Sequence, residues 1–277
     1  MEQGKLTEAR SPACLICQAP TQCMVRAGGL RVYRCPSCHH RFCPVDDQSM
    51  VLVEQLYGDS YTGFTTDPIF VKALDRILER DFQMVVPAGA RILDVGCGNG
   101  DFIALAKERG YSVQGVDVSA SSVRLCRKRN LDVVQGTLSD LPLEQKFDIL
   151  TMWDVVEHVP DPFVLLHRAW NLLRPGGHLV IKTPLVSDST FRIVSAVPPL
   201  AGRVLQTPKH VQFFTKRSLN RLAHETTFEA VTIETLGAMR QRVVAGTIRK
   251  RVGRLVVHGI DALCRNGNLY AWLRRAS

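Results

Sequence analysis

Three glycines, Gly96, Gly98 and Gly100, form a G-x-G-x-G turn between a predicted buried strand and a predicted helix. The strand covers Arg91 to Val95 and the helix covers Phe102 to Arg109. Glycine suits turns that need a positive φ angle, or places where backbone must touch a ligand. The helix N-terminus adds unpaired N–H groups and a partial positive charge. The turn therefore predicts a ligand site, although dinucleotide enzymes use a similar one.

Two acidic residues narrow the type of ligand. Asp94 lies two residues before the first glycine, where its charge would repel a phosphate and attract a cation. Asp117 ends a second predicted strand, Tyr111 to Val116, at a position suited to a ribose diol. A cofactor that is cationic, contains a ribose and lacks a phosphate describes S-adenosylmethionine.

A loop with Glu157, His158 and Val159 follows the predicted fourth strand, Phe147 to Trp153. With this loop and the glycine turn, the chain resembles class I S-adenosylmethionine-dependent methyltransferases over roughly residues 68–275. In that family an acidic residue often follows the glycine of the adenine loop, whereas this chain has Thr137 after Gly136. The resemblance implies the following cofactor-binding residues: Asp94, Gly96, Cys97, Gly98, Gly100, Asp117, Val118, Thr137, Leu138 and Trp153.

Three residues are candidates for catalysis. Glu157 and His158 would lie at the carboxyl edge of the sheet, beside the methyl group of the cofactor. His210 precedes a helix that Thr215 caps, in a segment that resembles the family's "H…F-(S/T)" pattern. A hydroxyl acceptor usually needs a general base, and His210 is our first choice. The alternative for each histidine is a purely structural hydrogen bond.

Four cysteines near the N-terminus have the spacing of a structural zinc site. Cys14-x2-Cys17 and Cys35-x2-Cys38 are separated by seventeen residues. Four thiolates close a tetrahedron around Zn²⁺ and leave no open position for chemistry. We therefore predict that this zinc is structural. Buried cysteines that bind no metal are the alternative.

The elements that must position these residues predict one α/β domain with a small N-terminal module. We expect a Rossmann-like, seven-stranded, mostly parallel sheet with helices on both faces, preceded by a zinc ribbon. The predicted divisions are the ribbon at 11–45, a linker at 46–66 and the methyltransferase domain at 67–277. Within that domain we expect a lid at 185–209 and a basic amphipathic helix at 242–263.

Charge and composition limit the choice of partner and compartment. The net charge is +9, and from Arg240 to Ser277 nine Arg or Lys residues accompany one acidic residue. The basic helix could contact an anionic membrane or another acidic partner, or it could pack on the domain with a solvated basic face. Met1 to Pro12 lacks the apolar core of a secretory signal, so we expect a cytoplasmic protein.

The sequence leaves three functions open. The first is O-methylation of a small molecule, such as a quinone precursor, a sugar, a lipid or a natural-product intermediate. The second is methylation of rRNA or tRNA, which is less well supported because the excess charge lies in one predicted helix. The third is a scaffold that binds S-adenosylmethionine without turning it over.

Overall fold

The computed structural model describes residues 11–45, 68–236 and 267–276. The strands in these residues are β1 Gln22–Ala27, β2 Leu30–Arg34, β3 Arg41–Phe42, β4 Arg91–Val95, β5 Ser112–Asp117, β6 Val133–Gln135, β7 Phe147–Trp153, β8 Leu173–Leu185, β9 Gln212–Phe213, β10 Phe228–Leu236 and β11 Gly267–Arg275. The helices are α1 Pro68–Ile77, α2 Asp101–Glu108, α3 Ala120–Lys128, α4 Pro162–Leu172, α5 Asp188–Ala196, α6 Ala201–Leu205 and α7 Lys216–Glu225.

Seven strands form the large sheet, in the order β10-β11-β8-β7-β4-β5-β6. The strands from β8 to β6 are parallel, whereas β11 runs antiparallel to both of its neighbours, β8 and β10. The strand order reverses between β4 and β7, and ligands of open α/β sheets bind outside the carboxyl ends of strands at such a point. The predicted fold class is therefore confirmed, and the sheet places the glycine turn and the loop after β7 side by side.

Helices cover both faces of the large sheet. Buried side chains of α1, α2 and α3 pack on one face around Ile92, Val113 and Ile149. Buried side chains of α4 and α7 pack on the other face around Leu150 and Ile181. The strands in the middle are buried on both sides, which explains their nearly continuous apolar sequences.

Two predicted elements differ from the structure in extent. The sequence also predicts a helix from Asp67 to Met84, because Thr66 or Asp67 can cap it and Pro68 suits its first turn. The structure describes this helix from Pro68, and it changes to a π-helical turn at Leu78–Phe82 before a last turn at Gln83–Val85. The sequence further predicts that Pro175-Gly176-Gly177 ends the preceding helix and that the fifth strand covers His178 to Thr183. Instead β8 starts at Leu173 and pairs with Phe147, and the register shifts before Ile149 pairs with His178. The glycines are accommodated within an irregular strand, since Gly176 has φ +75°.

The N-terminal ribbon shares its sheet with the larger domain. Its strands are in the order β1-β2-β3, and β9 of the larger domain pairs antiparallel with β3. Apolar residues of the ribbon pack on α5, α6 and β9, and this cluster includes Val25, Val32, Phe191, Leu205 and Phe213. The ribbon is therefore docked against the domain, a relation that the sequence did not predict.

Some predicted segments are only partly described or lie outside the described residues. The linker 46–66 and the basic helix 242–263 lie outside them. The expected lid, 185–209, contains α5 and α6, which pack against the ribbon, and its role as a lid stays a prediction. In the part of the chain that the structure describes, no helix is long and apolar enough to span a membrane.

Candidate active site

The glycine turn adopts backbone angles that other residues rarely tolerate. Gly96 has φ +65° and Gly100 has φ +80°. A Cβ atom at Gly96 would lie 2.7 Å from a methyl group of Val155, and one at Gly100 would lie 2.4 Å from a methyl group of Leu131. The turn is therefore confined to glycine by angle and by space. It leads into α2, whose first N–H groups lie at the carboxyl edge of the sheet.

Asp117 fixes the turn to the end of β5. Its carboxylate accepts hydrogen bonds from the backbone N–H groups of Gly98 and Ser119, both at 2.8 Å. Burial raises its pKa, and the two backbone bonds oppose that shift. The next residue, Val118, is 51% exposed, so an apolar surface lies beside a carboxylate. An adenosine has an aromatic base that can pack on an apolar surface and a ribose whose hydroxyl groups can donate to a carboxylate. The residues therefore fit the predicted cofactor.

Asp94 lies deeper than the other residues of this edge. It is 1% exposed, and the Thr151 hydroxyl donates to it at 2.7 Å. Burial raises its pKa to about 8. A cation bound nearby would favour the ionised carboxylate and lower that pKa again. Asp94, Gly96–Gly100 and Asp117 are named here the cofactor edge.

Thr137 and Leu138 have structural contacts in this structure. Thr137 caps a short 3₁₀ turn, its N–H donating to the Asp140 carboxylate at 2.7 Å. Leu138 is 3% exposed and packs in the core. Cys97 is also buried, and its sulfur lies close to Gly115. Contacts of these three residues with the cofactor stay predictions.

A cavity of about 490 Å³ lies between α1 and the ends of β7 and β8. Apolar side chains of α1 form one part of its wall, and the strand ends contribute Trp153 and Lys182. Three charged residues, Arg76, Glu79 and Arg80, complete the lining. Trp153 is 8% exposed, and within the described residues its indole N–H has no hydrogen-bond acceptor. Lys182 donates to the Asp154 carboxylate at 2.6 Å. The volume suits a small molecule.

The three predicted catalytic residues, Glu157, His158 and His210, lie together, and we call them the acceptor cluster; their catalytic role stays a prediction. One donor atom from each lies within 4.8 Å of the others. The two imidazole rings are 4.8 Å apart in an edge-to-face arrangement. The Thr183 hydroxyl donates to Oε2 of Glu157 at 2.9 Å, and Oε1 lies 3.9 Å from Nε2 of His158. None of the three lines the 490 Å³ cavity, although Trp153, at the end of the strand before this loop, does.

Burial keeps both imidazoles of the acceptor cluster neutral. It lowers the pKa of His210 to about 3, with the charges of His158, Lys209 and Lys182 adding to the effect. It also lowers the pKa of His158. Nδ1 of His158 lies 2.8 Å from the backbone carbonyl oxygen of Lys209, which can only accept, so Nδ1 carries the proton. The lone pair is then on Nε2, the nitrogen that faces Glu157.

The carboxyl group of Glu157 lies beside the two histidines and is also buried. It is 1% exposed, and burial raises its pKa well above the usual range. A carboxyl group in this state can share a proton with a neighbouring imidazole. The same three donor atoms could also hold a divalent cation, because carboxylate and imidazole are common metal ligands. The arrangement thus permits acid–base chemistry or metal-assisted chemistry at a hydroxyl group.

The sequence analysis missed two contributors to this region. Asp154 has φ +53° and pairs with Lys182, which lies at the end of the neighbouring strand. Polar residues at the ends of adjacent parallel strands are a signal that could have identified this pair. Gln212 contacts the loop after β7 through its side chain. Gln212 lies between His210 and Thr215 in the sequence, but no local pattern reveals a contact over such a sequence distance.

The four predicted zinc ligands converge at the ribbon. The sulfur atoms of Cys14, Cys17, Cys35 and Cys38 all lie within 4.8 Å of one another, and two pairs lie 3.5 Å apart. Zinc–sulfur bonds of about 2.3 Å in a tetrahedron place sulfurs about 3.8 Å apart. Backbone N–H groups also approach two of the sulfurs at 3.4 Å. Cys14 and Cys38 share a hydrogen bond that lowers the pKa of Cys14 and raises that of Cys38, so one of the two is favoured as the thiolate. The residues fit a structural zinc ion.

Known proteins resemble the larger domain of this chain. A family model described as a methyltransferase domain matches residues 69–233. A ubiquinone biosynthesis O-methyltransferase of Alkalilimnicola ehrlichii is 35% identical over 147 residues, or 50% of this chain and 60% of that protein. The protein of the same name from Xanthomonas axonopodis pv. citri is 33% identical over 132 residues, or 45% of this chain and 55% of that protein. The chain thus spans little more than half the length of these curated relatives.

Solved structures share the fold at low sequence identity. A SAM-dependent methyltransferase from Archaeoglobus fulgidus superposes with a TM-score of 0.52 at 22% identity, covering 74% of this chain and 94% of that one. The 1,6-didemethyltoxoflavin-N1-methyltransferase of Burkholderia thailandensis superposes with a TM-score of 0.55 at 19% identity, covering 88% of this chain and 99% of that one. At these identities the likeness concerns the architecture of the chain.

Proposed function

Because this chain belongs to the S-adenosylmethionine-dependent methyltransferases, we propose that it methylates a phenolic hydroxyl group of a quinone precursor. Two relatives named ubiquinone biosynthesis O-methyltransferase support this class of acceptor. The observation that carries the proposal is the acceptor cluster, in which two neutral imidazoles and a buried carboxyl group lie after β7. A phenol must lose its proton as it accepts a methyl group, so a base at this position has a direct use.

S-adenosylmethionine supplies a methyl group already activated by a sulfonium, and the remaining task is to place and deprotonate the acceptor. Trp153 lines the cavity, and its ring offers an apolar surface against which an aromatic acceptor can pack. Lys182, held by Asp154, contributes a positive charge that would stabilise a developing phenolate. These residues would hold the ring of the acceptor at the end of the sheet where the cofactor edge lies, and its hydroxyl group would have to extend beyond the cavity walls to reach the acceptor cluster.

His158 is better placed than His210 to take the proton. Its Nδ1 proton is held by the carbonyl of Lys209, so Nε2 is oriented as an acceptor. The carbonyl oxygen of Lys209, which accepts from Nδ1, would stabilise the imidazolium that forms. Glu157, whose Oε1 lies 3.9 Å from Nε2, could share its proton. His210 packs edge-to-face against His158 and would help to orient its ring. We therefore assign the base to His158, and His210, the first choice from the sequence, to a supporting position.

Methyl transfer to a catechol tests this proposal. The purified protein, with its zinc counted by elemental analysis, is incubated with labelled S-adenosylmethionine and 3,4-dihydroxybenzoate, and methyl ethers are identified by mass spectrometry. His158→Gln should lower kcat by about 100-fold or more and leave S-adenosylhomocysteine affinity unchanged. The matched control is His167→Gln, because His167 is an exposed histidine of α4. A full rate for His158→Gln would contradict the base, and transfer to an amine analogue but to no hydroxyl would contradict O-methylation.

Contact with a membrane and methylation of a nucleic acid stay proposals, and both have less support than O-methylation of a small molecule. Peripheral contact with an anionic membrane would use the basic segment 242–263, which lies outside the described residues. The same segment supplies five of the nine Arg or Lys residues between Arg240 and Ser277, on which the nucleic-acid alternative depends. Neither alternative is supported by a contact in the described residues.

A further inference from the structure

Gln212 joins the N-terminal ribbon to the loop that carries Glu157. Its side chain is 1% exposed. Its amide nitrogen lies 3.0 Å from the carbonyl oxygen of Val159 and 2.9 Å from that of Pro160. Its amide oxygen lies 2.9 Å from Nε2 of His40, which belongs to the ribbon. One buried side chain thus connects the second cysteine knuckle with the loop after β7.

The hydrogen-bonding roles along this connection follow from the two carbonyl groups. A carbonyl oxygen can only accept, so the amide nitrogen of Gln212 is the donor and its oxygen is the acceptor. His40 must therefore donate from Nε2. Its ring lies 5.7 Å from the ring of Phe42 and 4.9 Å from that of Phe214, so it is also held by packing. The orientation of the Gln212 amide is therefore specified at both ends.

The backbone around Gln212 makes a second connection between the same two regions. The N–H groups of Val211 and Gln212 both donate to the carbonyl oxygen of Glu157, at 2.9 and 3.0 Å. On the other side, the N–H of Cys43 donates to the carbonyl oxygen of Val211 at 2.8 Å. Strand β9 therefore lies between β3 of the ribbon and the backbone of Glu157. A displacement of β3 would shift the acceptor cluster.

We propose that Gln212 is a positioning residue that makes the geometry of the acceptor cluster depend on the folded, metal-bound ribbon. The knuckle Cys35–Cys38 is followed at once by His40 and β3, so a metal ion held there would order the strand that contacts Gln212. The cofactor edge is supported by other hydrogen bonds, which join the glycine turn and the start of α3 to β5, and β7 to β4. Loss of the connection should therefore affect the acceptor cluster and spare cofactor binding. Of the measurements that test this role of Gln212, only the activity measurement rests on the proposed function.

The first test replaces Gln212 in the full-length, zinc-loaded protein. Gln212→Leu keeps the volume of the side chain and removes both polar atoms. Amide hydrogen exchange in residues 155–163 should rise by about 10-fold or more, whereas exchange in residues 92–101 should not change. S-adenosylhomocysteine affinity should stay within about 2-fold, and kcat with 3,4-dihydroxybenzoate should fall by about 100-fold, because small misplacements of catalytic groups cost this much.

The matched control is Thr226→Val. Thr226 is fully buried, and its hydroxyl donates to the carbonyl oxygen of Leu222 at the end of α7. This substitution also removes a buried hydrogen bond, but at a site outside the ribbon and the acceptor cluster. It should leave exchange in both segments, cofactor affinity and kcat unchanged.

A second variant and a metal-free sample test the role of the ribbon itself. His40→Phe keeps an aromatic ring between Phe42 and Phe214 and removes the donor to Gln212. It should raise exchange in residues 155–163 with a smaller loss of kcat, of about 10-fold. Protein freed of zinc by a chelator should show the same local increase while it still binds S-adenosylhomocysteine.

Each result separates the positioning role from general destabilisation. Unchanged exchange in residues 155–163 for Gln212→Leu would overturn the proposal, even if kcat fell. An equal rise in residues 92–101, or loss of S-adenosylhomocysteine binding, would overturn it as well, because the effect would then be global. If exchange responds as expected while the wild type methylates no hydroxyl, the positioning role stands and the proposed function fails.

Discussion

The cofactor edge and the acceptor cluster lie at the same end of the sheet but are assembled in different ways. The cofactor edge comes from one stretch of chain, Asp94 to Asp117, whose hydrogen bonds close within it and its neighbouring strands. The acceptor cluster brings together Glu157, His158 and His210, and its support comes from Thr183, Gln212 and the ribbon. Local sequence specifies the first region, whereas tertiary structure specifies the second.

This difference has a functional meaning. A cofactor that many enzymes share can be bound by a turn that recurs unchanged, since its recognition needs only backbone and two carboxylates. The acceptor differs from one enzyme to the next, so it is better bound by residues from separate segments whose sequences can change independently. The docked ribbon adds a further segment to the acceptor side, because β9 pairs with β3. Perturbations of the two regions should therefore have separable effects.

Gly100→Ala should have the largest effect among the tests of the cofactor edge. The residue has φ +80°, and its new Cβ would lie 2.4 Å from Leu131 and 3.0 Å from the sulfur of Cys126. We expect a loss of about 2–3 kcal/mol in the free energy of unfolding, from the left-handed backbone and from repacking. Urea denaturation measures this loss, and calorimetry should show weakened S-adenosylhomocysteine binding. Wild-type stability in this variant would show that the turn is less constrained than its geometry indicates.

Asp117→Ala should weaken S-adenosylhomocysteine binding by about 100-fold. The substitution removes the acceptor of two backbone N–H groups and the proposed ribose contact, and bonds to a charged group are worth about 1.5–3 kcal/mol. Asp117→Asn keeps the shape and one acceptor oxygen, so its loss should be about 10-fold. Titration calorimetry on both variants measures the difference. Unchanged affinity in the alanine variant would refute the ribose assignment.

The two regions also differ in how far they could be predicted from sequence. The seven-stranded sheet, the glycine turn and the cysteine spacing have local signals, and the fold was predicted correctly from them. The extension of β8 back to Leu173 was missed because Pro175-Gly176-Gly177 normally ends an element, and here tertiary pairing with β7 overrides that preference. The contact of Gln212 with Pro160 and His40 has no periodic or motif signal, since it depends on how two separate segments dock.

Lowering the pH should destabilise the acceptor cluster through His210. Its pKa is about 3 in the folded protein, below the ordinary value of 6.5 that applies after unfolding. Between these values the unfolded chain binds more protons, so stability is present above about pH 6.5 and falls as the pH drops toward 3. From pH 6.5 to 5.5 we expect a loss of about 1 kcal/mol from this residue. Urea denaturation across this range measures it.

The comparison variant for the pH experiment is His210→Gln, which cannot titrate. Its stability should fall less than that of the wild type between pH 6.5 and 5.5, so the difference between the two proteins should shrink. His167→Gln, at an exposed position, should follow the wild type. Parallel curves for the wild type and His210→Gln would mean that His210 is not buried as a neutral group.

Ser119→Ala should have the smallest effect. It tests whether the cofactor edge is held by backbone hydrogen bonds to Asp117 without help from nearby side chains. The Ser119 hydroxyl caps α3 by accepting from the N–H of Ser122 at 3.4 Å, a long bond. Removing it should cost about 0.5 kcal/mol, the low end for such caps. Asp117 is bound by the backbone N–H of Ser119, which alanine retains, so S-adenosylhomocysteine affinity should not change. A loss of affinity above about 5-fold would show that the cofactor edge depends on side-chain contacts beyond Asp117, and the contrast with the acceptor cluster would weaken.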